Sequence, residues 1–236
     1  MSGRDLIPFI TLLCHLPGVF AAVYSSAGRY EWVCEHSADV LGLPRSTLVG
    51  RTIESLFPSA WCKERLALIR DVCQERVVSC TVEIYRGRRM EGLLLPIAEL
   101  ARDCLCLYAG RHSPASAPLA SSSATLSPVH LVHADWGPLE SLSRRELEVL
   151  RFVSLGLDNT AIAKRIFRTK RAVEWHINSL YRHLGTKQRL SLARLGIEAG
   201  LPAIEDAHWD AMIVSKQAID RDEDAGPDRA ARARRG

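Results

Sequence analysis

The sequence predicts a multidomain chain: an α+β domain built on one antiparallel sheet with helices over one face, followed by an all-α domain of four helices. Three observations predict it. From Gly18 to His112, short β-rich runs alternate with helical stretches. Residues 113–137 are rich in Ser, Ala and Pro and nearly uncharged, the composition of a flexible, partly extended linker. From Leu142 to Leu201, apolar and basic residues sort onto opposite faces of successive helices.

In the first region the runs GVFAAVYS and YEWVC read as strands, HSADVLGL and a segment from Ala60 to Glu75 as helices, and VVSCTVEIYR, MEGLLLPI and CLCLYAG as three more strands. Two strands, helices, then three strands give a single sheet covered on one side. All seven cysteines (14, 34, 62, 73, 80, 104 and 106) precede residue 107. Their number is odd and their spacing fits no compact framework, so reduced thiols are expected rather than a disulfide scaffold, and no metal site follows. Cys104 and Cys106 alternate along one strand and share a face, as small apolar core residues do. His15, His36 and His112 read as surface or capping residues.

At the N-terminus, Arg4 and the apolar run from Leu6 to Leu16 imitate a secretory signal, but Asp5 cancels Arg4 and Pro8 interrupts the run. No run reaches the roughly 18 apolar residues of a membrane span. A cytoplasmic chain with no membrane partner is expected.

The helical region opens with the capping-box pair Ser143 and Glu146 and runs to Gly156, with Leu147, Leu150 and Val153 inward. A short helix from Asn159, read as its cap, to Ile166 turns Ile162, Ala163 and Ile166 inward, and a tight turn at Phe167 and Arg168 leads to Thr169. Thr169 N-caps a third helix that closes at Gly185, the residue type that enters left-handed backbone most cheaply. Along this helix Val173, Ile177, Leu180, Tyr181 and Leu184 recur as a buried stripe. The opposite stripe is Arg171, Glu174, Trp175, Asn178 and Arg182, and an outward Trp calls for a partner. Two short helices joined by such a turn make a helix-turn-helix, here over about residues 159–178. A fourth helix, Gln188 to Ala199, carries Leu192 and Leu195.

Beyond it, Ala207 to Ile219 predicts one more helix, whose Trp209, Met212 and Ile213 would pack on a partner. From Arg221 onward mixed charge without large apolar residues predicts disorder. The domain bounds that follow are 1–112, 113–137 for the linker, 138–201 for the helix-turn-helix domain, and 202–236 for a partly disordered tail.

Charge is distributed unevenly. Residues 1–137 hold 13 basic and 13 acidic side chains, residues 138–200 hold 12 and 6, and residues 201–236 hold 6 and 8, so the overall +4 conceals one basic module. Between 159 and 189 there are eight Lys or Arg against one acid, Glu174. Such a surplus is a phosphate-binding footprint.

The stretches LSRRELEVL, GLDNTAIAKRI and AVEWHINSLYRHLG resemble a LuxR-type (GerE-like) DNA-binding domain. The resemblance implies that the third helix enters the major groove and the fourth supplies a dimer contact. The string AAVYSSAGRYEWVCEHSADVLGLPRSTLVGRTIESLF resembles a PAS domain, with AGRY as its first hairpin turn. PAS domains are sensory or dimerising modules, and some hold haem, flavin or a metabolite between sheet and helices. Here the helix from Ala60 to Glu75 offers no axial His, and the residues around Cys62 do not resemble a photoactive flavin motif. No cofactor is assigned: a small-molecule ligand in the cavity and a filled dimerisation core both stand. DNA binding itself requires none.

The function expected is a sequence-specific bacterial-type transcription regulator rather than an enzyme, since no Cys has an adjacent His in a nucleophile motif. The acidic cluster and Lys of a phosphoacceptor receiver are absent. Phosphate contacts are expected from Asn159, Thr160, Arg168, Lys170, Arg171, Arg182, Lys187 and Arg189. Base readout is expected from Glu174, Trp175 and Asn178, because Glu accepts from cytosine N4, Asn pairs with adenine, and Trp meets a thymine methyl. Ser191, Ala193 and Gly196, read as exposed small residues, would let two copies of the fourth helix approach. The expected partners are double-stranded DNA, a second copy of the chain, and RNA polymerase as a further candidate. The alternative is an interaction protein or a redox or ligand sensor that binds no DNA and uses the first domain and Trp175.

Overall fold

The computed structural model describes residues 19–35, 40–100, 103–112 and 127–224, and the chain divides into two compact units. The apolar run at 6–16, Cys14, His15, His36, the linker to residue 126 and the tail from residue 225 lie outside the described residues.

The first unit is a six-stranded sheet. Its strands are β1 (Val19–Ser25), β2 (Tyr30–Val33), β3 (Ser79–Tyr85), β4 (Arg88–Leu100), β5 (Asp103–His112) and β6 (Val129–His130), in the spatial order β2-β1-β5-β4-β3-β6. All neighbouring pairs are antiparallel except β3 and β6, which run parallel. Helix α1 (Arg45–Leu48) follows the first hairpin, and the longer α2 (Ser59–Glu75) packs across β4 and β5. Strand period 2 sends Phe20, Tyr24, Thr81, Glu83, Tyr85, Met90, Leu94 and Tyr108 toward the cavity that α2 covers.

The parallel β6 corrects the expectation of a wholly antiparallel sheet, and it lies in the stretch read as linker. Leu131 donates its backbone N–H to Val82, Asp135 donates to Ile84, and Trp136 is 2% exposed. Low charge and Ser/Pro content describe the start of that stretch. A buried Trp and strand hydrogen bonds fix its end.

In the second unit the four expected helices are α3 (Arg144–Ser154), α4 (Asn159–Arg165), α5 (Lys170–His183) and α6 (Arg189–Glu198). Helix α3 is central and packs on all three others. Leu147, Leu150, Val153, Ile162, Val173, Leu180 and Leu192 make the core, each at most 1% exposed. The capping box at Ser143 and Glu146 is formed, and Thr169 caps α5 by accepting from the Ala172 N–H at 3.2 Å. The cap of α4 is Asp158, which accepts from the Ala161 N–H at 2.7 Å, so Asn159 is the first helical residue rather than the cap. Both residue types suit the position, and only backbone geometry chooses between them.

A further helix, α7 (Asp206–Asp224), follows. Its Trp209, Met212 and Ile213 are buried within the unit rather than offered to a partner. Arg151 of α3 stacks over the Trp209 ring and donates to Asp206 at 2.7 Å, while the buried Lys216 donates to Glu140 Oε1 at 2.6 Å. The helix reaches past Arg221, where disorder was expected, and two buried cations, its own Lys216 and Arg151 of α3, tie it to distant sequence.

Candidate nucleic-acid interface

The helix-turn-helix is α4, the turn, and α5. Helix α4 ends at Ile166; Phe167 then takes left-handed backbone at φ 53°, donating to Lys164 while Arg168 donates to Ala163. This pair of bonds is a Schellman motif, which terminates α4 and aims the chain into α5. The far end of α5 is closed by Gly185 at φ 64°. Between these ends Val173, Ile177 and Leu180 are buried and Tyr181 and Leu184 half-buried. On the opposite side Arg171, Glu174, Trp175, Asn178 and Arg182 are all exposed, Trp175 at 61%. Its ring meets His176 edge-on, with centroids 4.9 Å apart.

Helix α5 is held to α3 by Glu146. Beyond its capping role, this carboxylate sits 3.2 Å from His183 Nδ1 and shares a hydrogen bond with Ser179. Burial alone would raise the Glu146 pKa. Hydrogen bonds from Ser179 and Ser143 outweigh it and, with His183, hold the group below its ordinary value. His176 shifts the other way from protonation: burial lowers its pKa, opposed by Glu146 and reinforced by Arg145 and Arg168.

The first turn of α5 has no acid and holds Lys170 and Arg171, although the helix dipole favours anions there. Cations placed against the dipole make sense where an external anion also arrives. Lys170, Arg171, Lys187, Thr160 and Arg168 are exposed, and Arg168 donates to the Phe167 carbonyl at 3.2 Å. Arg182 reaches the Ser179 hydroxyl at 3.4 Å. Arg189 and Asn159 are brought together: the guanidinium donates to Asn159 Oδ1 at 2.8 Å and to the Leu157 carbonyl at 2.5 Å, tying the start of α6 to the start of α4.

The small residues of α6 are not the open stripe expected. Ser191 and Ala193 are half-buried, and Gly196 is buried so closely on α3 that a Cβ there would lie 2.7 Å from Ser154 Cβ. The spacing of small residues is the same for an inward and an outward face, and packing on α3 chose inward for Gly196. The exposed apolar residues of α6 are Leu190, at 78%, and Ile197, seven positions on. Sequence reasoning missed both, although two apolar residues outside the Leu192 stripe were a visible signal. It also missed what Phe167 does: that residue is 87% exposed.

A second candidate site is a cavity of about 50 Å³ inside the sheet unit, between α2 and the sheet. Its walls are largely apolar and aromatic, and several of its polar groups satisfy one another, although the buried Trp61 Nε1–H has no hydrogen-bond partner. Arg65 is bound to Glu83 and stacks 3.7 Å over the Trp61 ring, Tyr108 donates to Glu83 Oε1 at 3.0 Å, and Tyr85 donates to the Leu41 carbonyl at 3.1 Å. The Tyr108 ring lies across Gly92 and Gly110, which face each other in register, because a Cβ on either would come within 2.8 Å of it. Burial pushes the tyrosine hydroxyls up, Tyr30 to about 12. Burial likewise raises the thiols of Cys62, Cys80 and Cys106, the opposite of what an activated nucleophile needs. Cys106 is fully buried and Cys104 half-buried, and no group of three or more His, Cys, Asp or Glu among the described residues is arranged to hold a metal ion.

Residues 140–195 match the family model of bacterial regulatory proteins, luxR family, and are a LuxR-type helix-turn-helix domain. A protein of Mycobacterium tuberculosis (strain ATCC 25618 / H37Rv) named as an HTH-type transcriptional regulator is 40% identical over 68 residues, which are 29% of this chain and 7% of that protein. A nitrate/nitrite response regulator homolog of Haemophilus influenzae is 39% identical over 66 residues, 28% of this chain and 31% of that protein. The chain thus spans less than a third of the length of either relative. Among solved structures, a Vibrio cholerae VqmA–ligand–DNA complex aligns at TM-score 0.44 and 16% identity, covering 86% of this chain and 91% of that one. The PAS domain of Bordetella pertussis BvgS aligns at TM-score 0.37 and 16% identity, covering 46% of this chain and 87% of that one.

Proposed function

We propose that this chain is a sequence-specific DNA-binding transcription regulator in which α5 enters the major groove and the sheet unit is a PAS-type sensory or dimerising module. One observation carries the reading: the polar and aromatic stripe of α5 is exposed along its length, with cations at both ends. Arg168, Lys170, Arg171, Arg182 and Lys187, with the Thr160 hydroxyl, take phosphates. Asn159 and Arg189, joined to each other, keep the starts of α4 and α6 in register and offer their remaining donors to the same backbone. Glu174, Trp175 and Asn178 face the bases.

The working unit is a homodimer, because one helix-turn-helix reads only a few base pairs and a twofold pair gains affinity through effective concentration. Leu190 and Ile197, rather than Gly196, form the contact on α6. Such a regulator works in the cytoplasm of a bacterium, and no helix among the described residues is long and apolar enough to cross a membrane. In vitro selection of duplex DNA by the full chain tests the reading. It should enrich one motif in paired half-sites, and absence of binding to random duplex at low salt would return the chain to the class of protein-interaction modules.

The cavity favours small-molecule control of this regulator. Arg65 and Glu83 neutralise each other and Tyr108 completes the carboxylate's shell, so a charged ligand would meet no counter-charge. The ligand is uncharged and largely apolar, with room for about three or four water-sized groups before the walls move. Native mass spectrometry of the full chain should detect such an adduct, and Leu94→Trp should expel it. A chain of bare mass whose DNA affinity ignores Leu94→Trp would make the unit a dimerisation module alone.

A further inference from the structure

The residue that closes the helix-turn-helix turn is the wrong one for stability on two counts. Phe167 occupies the left-handed position of a Schellman motif, at φ 53°, where Gly is the usual residue and a side chain strains the backbone. It also holds its ring 87% exposed, the most exposed of the large hydrophobic residues described. A buried contact is what ordinarily offsets such strain, and here the protein itself supplies none of consequence. Strain retained at a surface position is a pointer to a partner.

The surroundings identify the partner's chemistry. Lys164 and Arg165 precede Phe167 by one turn of α4, Arg168, Lys170 and Arg171 follow it, and no acid lies between residues 159 and 173. The first turn of α5, two residues on, adds the positive end of a 14-residue helix. An apolar ring ringed by cations fits a surface that alternates anionic and apolar groups. The deoxyribose faces between consecutive phosphates of a DNA strand are such a surface. In a helix-turn-helix the first helix crosses the backbone while the N-terminal residues of the second enter the groove, so the turn joins a backbone-crossing element to a groove-entering one.

We infer that Phe167 is a DNA-contacting residue that packs on the sugar faces of the backbone at the edge of the major groove, between the phosphates held by Arg168 and Lys170. This inference rests on the regulator reading above. The contact displaces no counterion, so it adds affinity independent of salt, in contrast to the cations around it.

Stability and affinity should therefore move in opposite directions on substitution. In the full chain, Phe167→Gly and Phe167→Asn both suit left-handed backbone and both remove the ring. Each is expected to raise the Tm by a few degrees. Each should weaken binding to a duplex recovered by selection with the wild-type chain by about tenfold, roughly the loss of half a buried Phe. The slope of log affinity against log salt between 50 and 200 mM should stay at the wild-type value. Phe167→Leu keeps an apolar side chain and should recover most of the affinity without the gain in Tm.

Wild-type affinity in the Gly and Asn variants overturns the inference while leaving the regulator intact, and assigns the exposed ring to a protein partner. A weakened variant whose salt slope has also fallen by about one unit overturns it too, because the loss then came through Arg168 or Lys170. A wild-type chain that binds no duplex removes the regulator reading itself.

Discussion

In the proposed reading, affinity and sequence preference belong to different residues of the helix-turn-helix, and two sets of substitutions separate them. A cation on a phosphate releases a counterion, so Arg168→Ala and Lys187→Ala should each weaken binding to all sequences alike and lower the salt slope by about one unit. Titrations at several salt concentrations check this, and an unchanged slope in both variants would remove them from the phosphate contacts. Glu174 is the one acid among eight bases and lies exposed on the outward stripe of α5. A carboxylate in a polyanion's groove is kept for what it accepts, and cytosine N4 is the donor there. Selection with Glu174→Lys should change the preferred base at one position of the motif; an identical motif would leave Glu174 without a role in readout.

At the scale of the elements, the placement of α5 and α6 depends on a few joints to α3. Glu146 caps α3 and grips Ser179 and His183, so Glu146→Gln should lower stability by about 1–3 kcal/mol at neutral pH by weakening charge-assisted bonds in a buried site. The folded-state pKa of Glu146 is depressed. Its contribution is therefore complete above the ordinary carboxylate value of about 4.3 and is lost as pH falls through the lower folded value. His176, whose pKa burial also lowers, acts in the same sense from about pH 6.5 downward, because it must be charged on unfolding before it is charged in place. Unfolding measured from pH 7.5 to 3 should show stability falling with acidification, with a shallower acid limb in Glu146→Gln. The second joint is Gly196. Since a Cβ would lie 2.7 Å from Ser154 Cβ, Gly196→Val should overpack the α3–α6 contact by about 1–3 kcal/mol, read as a lower denaturant midpoint at unchanged m.

For the whole molecule, the proposed unit on DNA is a homodimer, whose helical contact on α6 would be made by the exposed Leu190 and Ile197. Sedimentation of the full chain with a duplex carrying paired half-sites should give two chains per duplex, and Leu190→Glu should reduce this to one with a large loss of affinity. Monomeric occupancy of a single half-site by the wild-type chain would remove the dimer. Helix α7 adds to the four-helix domain a fifth element that is tied to α3 through Arg151 and to Glu140 through Lys216. It lies outside residues 140–195, the span of the family match.

What the sequence determined by itself are the features governed by local rules. Helical period, caps and charge distribution are properties of neighbouring residues, so the buried and exposed stripes of α5, the capping box at Ser143 and Glu146, the Thr169 cap and the basic module were all legible. So were five strands of the sheet, whose alternating patterns need no partner to be recognised. Contacts between distant residues decided the rest. Asp158 rather than Asn159 caps α4 because of backbone angles set by the preceding turn, and Gly196 faces inward because α3 lies against it. Arg189 binds Asn159 across 30 positions of sequence, and β6 joins the sheet because Leu131 and Trp136 find a buried site beside β3. A small, polar or charged side chain has no intrinsic address. Whether it meets solvent, DNA or its own fold is fixed only when the elements pack.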